Sequence, residues 1–85
     1  MKMEREEILA GLKDIVASAD ESLRDRLGGI TESTRVLEDL GFTSISLLFM
    51  AISIEETFHV ELKDVDIWKL STMGDVVSMI RERMR

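Results

Sequence analysis

The segment from Ser44 to Phe58 limits the possible folds more than any other part of this chain: fifteen residues without glycine or proline, apolar on two sides. Leu47, Met50, Ala51, Ile54 and Phe58 recur at helical steps and form one stripe, while Ile45, Leu48, Phe49 and Ile52 form a second on the neighbouring face. Thr43 or Ser44 can supply the N-cap, its hydroxyl accepting an N–H that the first turn leaves unpaired. One stripe is enough to seat a helix on a core. The second needs a reason, and the plain one is a short central helix buried nearly all round. The most apolar run, Ile45 to Ile54, is about half the roughly 20 residues that span a bilayer, so membrane insertion is not expected.

Residues 1–85 can build one core and not two, so they read as a single domain. Cysteine is absent, which leaves packing alone to hold the fold and denies the chain a thiol of its own. Proline is absent and aromatics are 5%, which favours an all-α fold. Ile8, Leu9, Leu12, Ile15, Val16 and Ala19 put a first helix at about Met3 to Ala19. From Asp20 to Thr43 the glycines and hydroxyl residues break the pattern. A structureless loop of that length is unusual, so a short helical turn near Ser22 to Leu27 and apolar anchors to the core are expected, drawn from Leu23, Leu27, Ile30, Val36, Leu37 and Leu40. After a connector at His59 to Lys63, Asp64 is placed to cap a short third helix through Val65, Ile67, Trp68 and Leu70. Thr72-Met73-Gly74-Asp75 reads as a capping box opening a last helix along Met73, Val76, Val77, Ile80 and Met84. Arg81, Arg83 and Arg85 near its end offset the negative pole of the helix dipole.

Net charge is −6, and all of it lies between Val36 and Asp66, where seven acids face one base, Lys63. An acidic surface of this kind repels nucleic acid and suits partners with basic patches. The N-terminal residues carry no apolar run of signal-peptide length and are rich in acids, so a cytoplasmic location is expected.

For an enzyme the inventory is poor. His59 is the single histidine, no nucleophile elbow or glycine-rich phosphate loop is present, and Asp64-Val65-Asp66 lacks the glycine and terminal glutamate of a calcium loop. Neither catalysis nor a metal site is expected. One place does offer chemistry. Leu40-Gly41-Phe42-Thr43-Ser44 sets a serine after a glycine-containing turn, at the first position of the long helix, where a phosphate on its hydroxyl would meet unpaired N–H groups and the positive pole of the dipole. On spacing alone Ser44 reads first as a plain N-cap.

These residues resemble the acyl carrier proteins. The family's Asp-Leu-Gly, two further residues, then the modified serine and an apolar residue, is matched by Asp39-Leu40-Gly41-Phe42-Thr43-Ser44-Ile45; Glu55, Glu56 and Phe58 match its end of the second helix; Leu62, Asp64 and Thr72-Met73-Gly74-Asp75 continue the match. The resemblance implies a four-helix bundle of acyl-carrier type, with a long loop between helices one and two and a short third helix. It implies that Ser44 carries covalent 4'-phosphopantetheine from coenzyme A, attached by a Mg2+-dependent phosphopantetheinyl transferase. The chain would then carry acyl intermediates in fatty-acid, polyketide or related lipid biosynthesis, as a monomer and a substrate of acyl-loading and acyl-processing enzymes rather than as an enzyme. Ile45, Leu48, Phe49, Ile52, Glu55 and Glu56 would face those partners, and Met50, Ala51, Ile54 and Phe58 the core.

The departures are local. Thr43 stands where the family usually has Asp, Ser46 and Phe49 where acids are common, and Ile45 where Leu is commoner. They point to a specialised carrier that docks more by apolar contact near Ser44. The changed flanks Thr43 and Ser46 also leave open an unmodified interaction module in which Ser44 only caps the helix; a carrier of aminoacyl groups is a third reading, from which Asp39-Leu40-Gly41 and Glu55-Glu56 point back to acyl carriers.

Overall fold

The computed structural model describes residues 3–84. Helix α1 (Arg5–Ala19) begins where Glu7 folds back to accept the N–H of Glu4 at 3.0 Å, two residues later than the apolar stripe suggests. It ends at Asp20, whose carboxylate accepts the N–H of Ser22 at 3.0 Å and opens a 3-10 helix over Glu21–Gly29. The short turn expected at Ser22 to Leu27 is thus a longer element. Ser44–Phe58 forms α2, with the bounds read from the sequence, and Met73–Arg83 forms α3. Arg85 lies outside the described residues.

Helix α1 is the hub, packing against the first 3-10 helix, α2 and α3. Its buried Ile8, Leu12 and Val16 meet Leu47, Met50, Ile54 and Phe58 of α2 and Val76, Val77 and Ile80 of α3 in one continuous core. The apolar stripe with Met50, Ile54 and Phe58 is therefore the inner one, with Ala51 partly covered beside it. Gly11 belongs to this contact: a Cβ there would lie 2.9 Å from Cζ of Phe58.

Two expectations need correction. The third helical element is a three-residue 3-10 turn, Ile67–Lys69, and its cap is Asp66, whose carboxylate accepts the N–H of Trp68 at 3.1 Å; Asp64 instead pairs with Arg83 at 3.4 Å. Asp66 wins because a single 3-10 turn leaves room for a cap only next to its first residue. Leu37 is exposed rather than an anchor, whereas Leu23, Ile30, Val36 and Leu40 are buried as expected and Leu27 is partly so.

The long loop from Ile30 to Thr43 is held down rather than free. Val36 N–H donates to the carbonyl of Ser71 at 3.0 Å, Met73 N–H to Thr34 at 2.8 Å and Gly74 N–H to Glu32 at 2.9 Å, around an isolated antiparallel bridge between Arg35 and Thr72. Gly74 sits close against the loop: a Cβ there would lie 3.0 Å from the Glu32 carbonyl oxygen, so a side chain would press the loop backbone outward. The guanidinium of Arg5 closes the junction by donating to Glu32, to Ser78 Oγ at 3.0 Å and to the Gly74 carbonyl at 3.2 Å. Its charge and hydrogen bond hold the Glu32 carboxyl below the usual carboxylate range.

Candidate functional site

The approach to α2 is built from two buried side chains and one glycine. Leu40 and Phe42 insert into the core on either side of Gly41, and the chain can reverse between them only because Gly41 takes φ +68, a left-handed conformation that costs a glycine nothing. This sets Thr43 in extended backbone at the mouth of the helix. Its Oγ1 accepts the N–H of Ser46 at 3.3 Å and its carbonyl accepts that of Leu47 at 3.0 Å, so the N-cap is Thr43.

That assignment releases Ser44. The residue is exposed at the first position of α2, and among the described residues its hydroxyl has no hydrogen-bond partner. Ser46 is half-covered, with its Oγ 3.2 Å from Thr43 Oγ1. The first turn of α2 contains no acid, so the helix supplies no carboxylate of its own to offset its positive pole. A negatively charged ester on Ser44 would therefore be held by the dipole and by N–H groups without like-charge repulsion. These residues suit a phosphate-linked group and leave its attachment point open to solvent.

Along the outer face of α2, Ile45 is 77% exposed, Ile52 58%, Leu48 54% and Phe49 43%. A central helix buried all round is thus excluded. The face is divided, however. Leu48 and Ala51 border a shallow groove of about 400 Å3 shared with Glu55, Leu62, Val65 and Trp68, while Phe49 leans the other way over Gly11, Ile15 and Ser18 of α1. Glu55 is only half-free, because its carboxylate accepts the N–H of Leu62 at 2.8 Å and so ties the connector to α2. Glu56 is exposed.

The acidic stretch is weaker as a surface than as a sequence. Glu38 pairs with Arg35 at 2.6 Å, Glu61 with Lys63 at 3.6 Å and Asp64 with Arg83 at 3.4 Å. Two of these bases come from outside the segment that holds the net charge. Such exposed pairs add little stability, but they mute the field a partner meets.

Two features escaped the sequence reading. Trp68 is 55% exposed beside Leu48 instead of packed inward, and His59 ends α2 in a left-handed conformation at φ 56, a place usually given to glycine. No local pattern announces either one.

The structure is a small helical bundle without a thiol that displays the unengaged hydroxyl of Ser44 at a helix N-terminus. Comparison with known proteins gives the kind of protein this is. Residues 8–80 match the family model described as phosphopantetheine attachment site. Acyl carrier protein of Thermotoga maritima is 35% identical over 80 residues, 94% of this chain and 95% of that protein, and acyl carrier protein of Lactobacillus acidophilus is 37% identical over 79 residues, 93% and 95%. Meromycolate extension acyl carrier protein of Mycobacterium leprae is 32% identical over 82 residues, covering 96% of this chain and 69% of that protein.

The chain belongs to the acyl carrier protein family. It is a carrier with a covalently attached 4'-phosphopantetheine, and a substrate of phosphopantetheinyl transferase and of acyl-transferring enzymes. Among the described residues, no helix is long and apolar enough to cross a membrane.

Proposed function

We propose that Ser44 is the attachment residue, and that the chain works as a cytoplasmic monomer carrying acyl intermediates of fatty-acid, polyketide or a related lipid synthesis. The observation that supports Ser44 most is the capping by Thr43. A serine that capped its own helix would have its hydroxyl committed, whereas here the neighbour takes that task and Ser44 Oγ faces solvent. Once bound there, phosphopantetheine supplies the thiol that a cysteine-free chain lacks and holds the acyl group as a thioester. The protein's own part is positional. Gly41 and the buried pair Leu40 and Phe42 fix where α2 begins, the uncompensated first turn stabilises negative charge on Ser44, and the bundle carries no competing nucleophilic thiol.

Ile45, Leu48, Phe49, Ile52, Glu55 and Glu56 form the surface that acyl-loading and acyl-processing enzymes read. Apolar contact outweighs charge in this reading. Burying one such side chain contributes roughly 1.5–3 kcal/mol, against about 0.2–1 kcal/mol for an exposed ion pair. Peptide mapping by mass spectrometry of protein taken from its producing cells tests the attachment residue: the modified peptide must place the group on Ser44 and leave Ser46 bare. A group on Ser46, or on another residue, would overturn the assignment.

A further inference from the structure

Leu62 is the fixed point of the connector between α2 and the second 3-10 turn. Its side chain is buried, its carbonyl accepts the N–H of Val65 at 2.9 Å, and its own N–H is taken by the Glu55 carboxylate at 2.8 Å, seven residues back along the chain. The chain reaches it through the left-handed His59, a conformation disfavoured for a residue with a Cβ, so a contact beyond the helix end must keep the connector folded back. Past Leu62, Val65, Ile67 and Trp68 form one wall of the groove whose other wall is Leu48 and Ala51. We infer that Glu55 is a positioning residue for the encounter with partner enzymes: it acts through Leu62, as the hydrogen-bond acceptor that holds this wall against α2, and not as a charge that a basic partner reads. The inference rests on the reading that partner enzymes meet the outer face of α2.

Burial and hydrogen bonding favour the brace over the charge. Glu55 is half-covered, whereas Glu56 beside it is exposed. A partner's cation that drew the Glu55 carboxylate to itself would leave the N–H of a buried residue without an acceptor, and that costs more than an exposed ion pair returns. Asp66, the other acid on this groove, is used in the same way: its carboxylate accepts the N–H of Trp68 at 3.1 Å. Both carboxylates are thus committed to backbone N–H groups of the wall that faces α2. A wall fixed before contact does not have to be ordered during it, so the brace serves docking by sparing that cost.

The test compares Glu55→Gln, which keeps an acceptor oxygen and gives up the charge, with Glu55→Ala, which gives up both. Amide hydrogen exchange followed by NMR on the full chain reads the brace. The Leu62 N–H is expected to exchange about tenfold faster in Glu55→Ala than in the wild type, and Glu55→Gln to bring it back to within about twofold. Steady-state kinetics with coenzyme A, Mg2+ and a broad-specificity phosphopantetheinyl transferase read its use. Glu55→Ala should raise the KM for the carrier roughly three- to tenfold with kcat unchanged, and Glu55→Gln should rescue most of that rise. A Glu55→Gln chain as impaired as Glu55→Ala, with its Leu62 amide still protected, would overturn the inference in favour of a charge that partners read. Unaltered exchange at Leu62 in Glu55→Ala would overturn it as well. Leu48→Ser separates the inference from the reading beneath it. A raised KM for Leu48→Ser beside an unchanged one for Glu55→Ala overturns the inference alone, and an unchanged KM for both overturns the outer face of α2 as the meeting surface and the inference with it.

Discussion

The Arg5 guanidinium grips the Glu32 carboxylate across the junction between α1 and the long loop, with Nε 3.2 Å from both carboxylate oxygens. The same side chain reaches Ser78 and Gly74, so one residue joins α1, the loop and α3. Its partner's carboxyl is held below the ordinary range mainly by this hydrogen bond. A depressed folded pKa stabilises the fold above the unfolded value of about 4.3 and ceases to do so as pH falls through the folded value. Thermal melts followed by circular dichroism should therefore be flat from about pH 7 to 5 and decline below about 4.5. Glu32→Gln should melt lower at neutral pH and decline less steeply in acid.

Asp75 gives a second acid-sensitive contact. Its Oδ2 accepts N–H donors from Thr72 and Ser71, each at 3.1 Å, which lowers its pKa, while Thr72 Oγ1 accepts the N–H of Asp75 at 3.1 Å. Loss of a cap of this kind costs about 0.5–2 kcal/mol. Thr72→Ala should destabilise by about 1 kcal/mol in urea melts, without changing the m-value.

Two left-handed residues should respond with opposite signs. Gly41→Ala forces a Cβ into φ +68 at a cost of roughly 1–2 kcal/mol, whereas His59→Gly relieves a similar conformation at φ 56 and should stabilise by up to about 1 kcal/mol. Chemical denaturation of the two variants beside the wild type checks the pair.

What the sequence made legible follows from how local each cause is. Helix α2 was readable to its last residue because its stripe, its cap and its lack of breakers all lie within the segment. The inner stripe and the exposure of Ile45, Leu48 and Ile52 followed from the same periodicity and the resemblance together. The cap at Asp66, the outward Trp68 and the pinning of the loop to Ser71, Met73 and Gly74 depend on segments that meet only in space. The acidic stretch misled for the same reason, since Arg35 and Arg83, which neutralise Glu38 and Asp64, lie outside it. By pattern either Thr43 or Ser44 can cap α2, and it is the folded backbone that gives the cap to Thr43.

Phe49 stands where the family often carries an acid, and it is half-seated against α1. Phe49→Glu should leave the fold intact, and should change acylation rates with some partner enzymes and not others. Equal rates across a panel of such enzymes would remove Phe49 from the docking surface.

The first turn of α2 holds no acid, so a phosphodiester on Ser44 should stabilise the helix by about 0.3–1 kcal/mol. For a domain of this size that raises the melting temperature by roughly 1–8 °C. Scanning calorimetry of the modified and unmodified protein at low salt measures it.

The most direct measurement is intact mass after incubation with coenzyme A, Mg2+ and a broad-specificity phosphopantetheinyl transferase, for wild type and Ser44→Ala side by side. The expected result is a single phosphopantetheine adduct on the wild-type chain and none on the variant. An adduct that persists on Ser44→Ala, or a wild-type chain that stays unmodified, would contradict the assignment of Ser44.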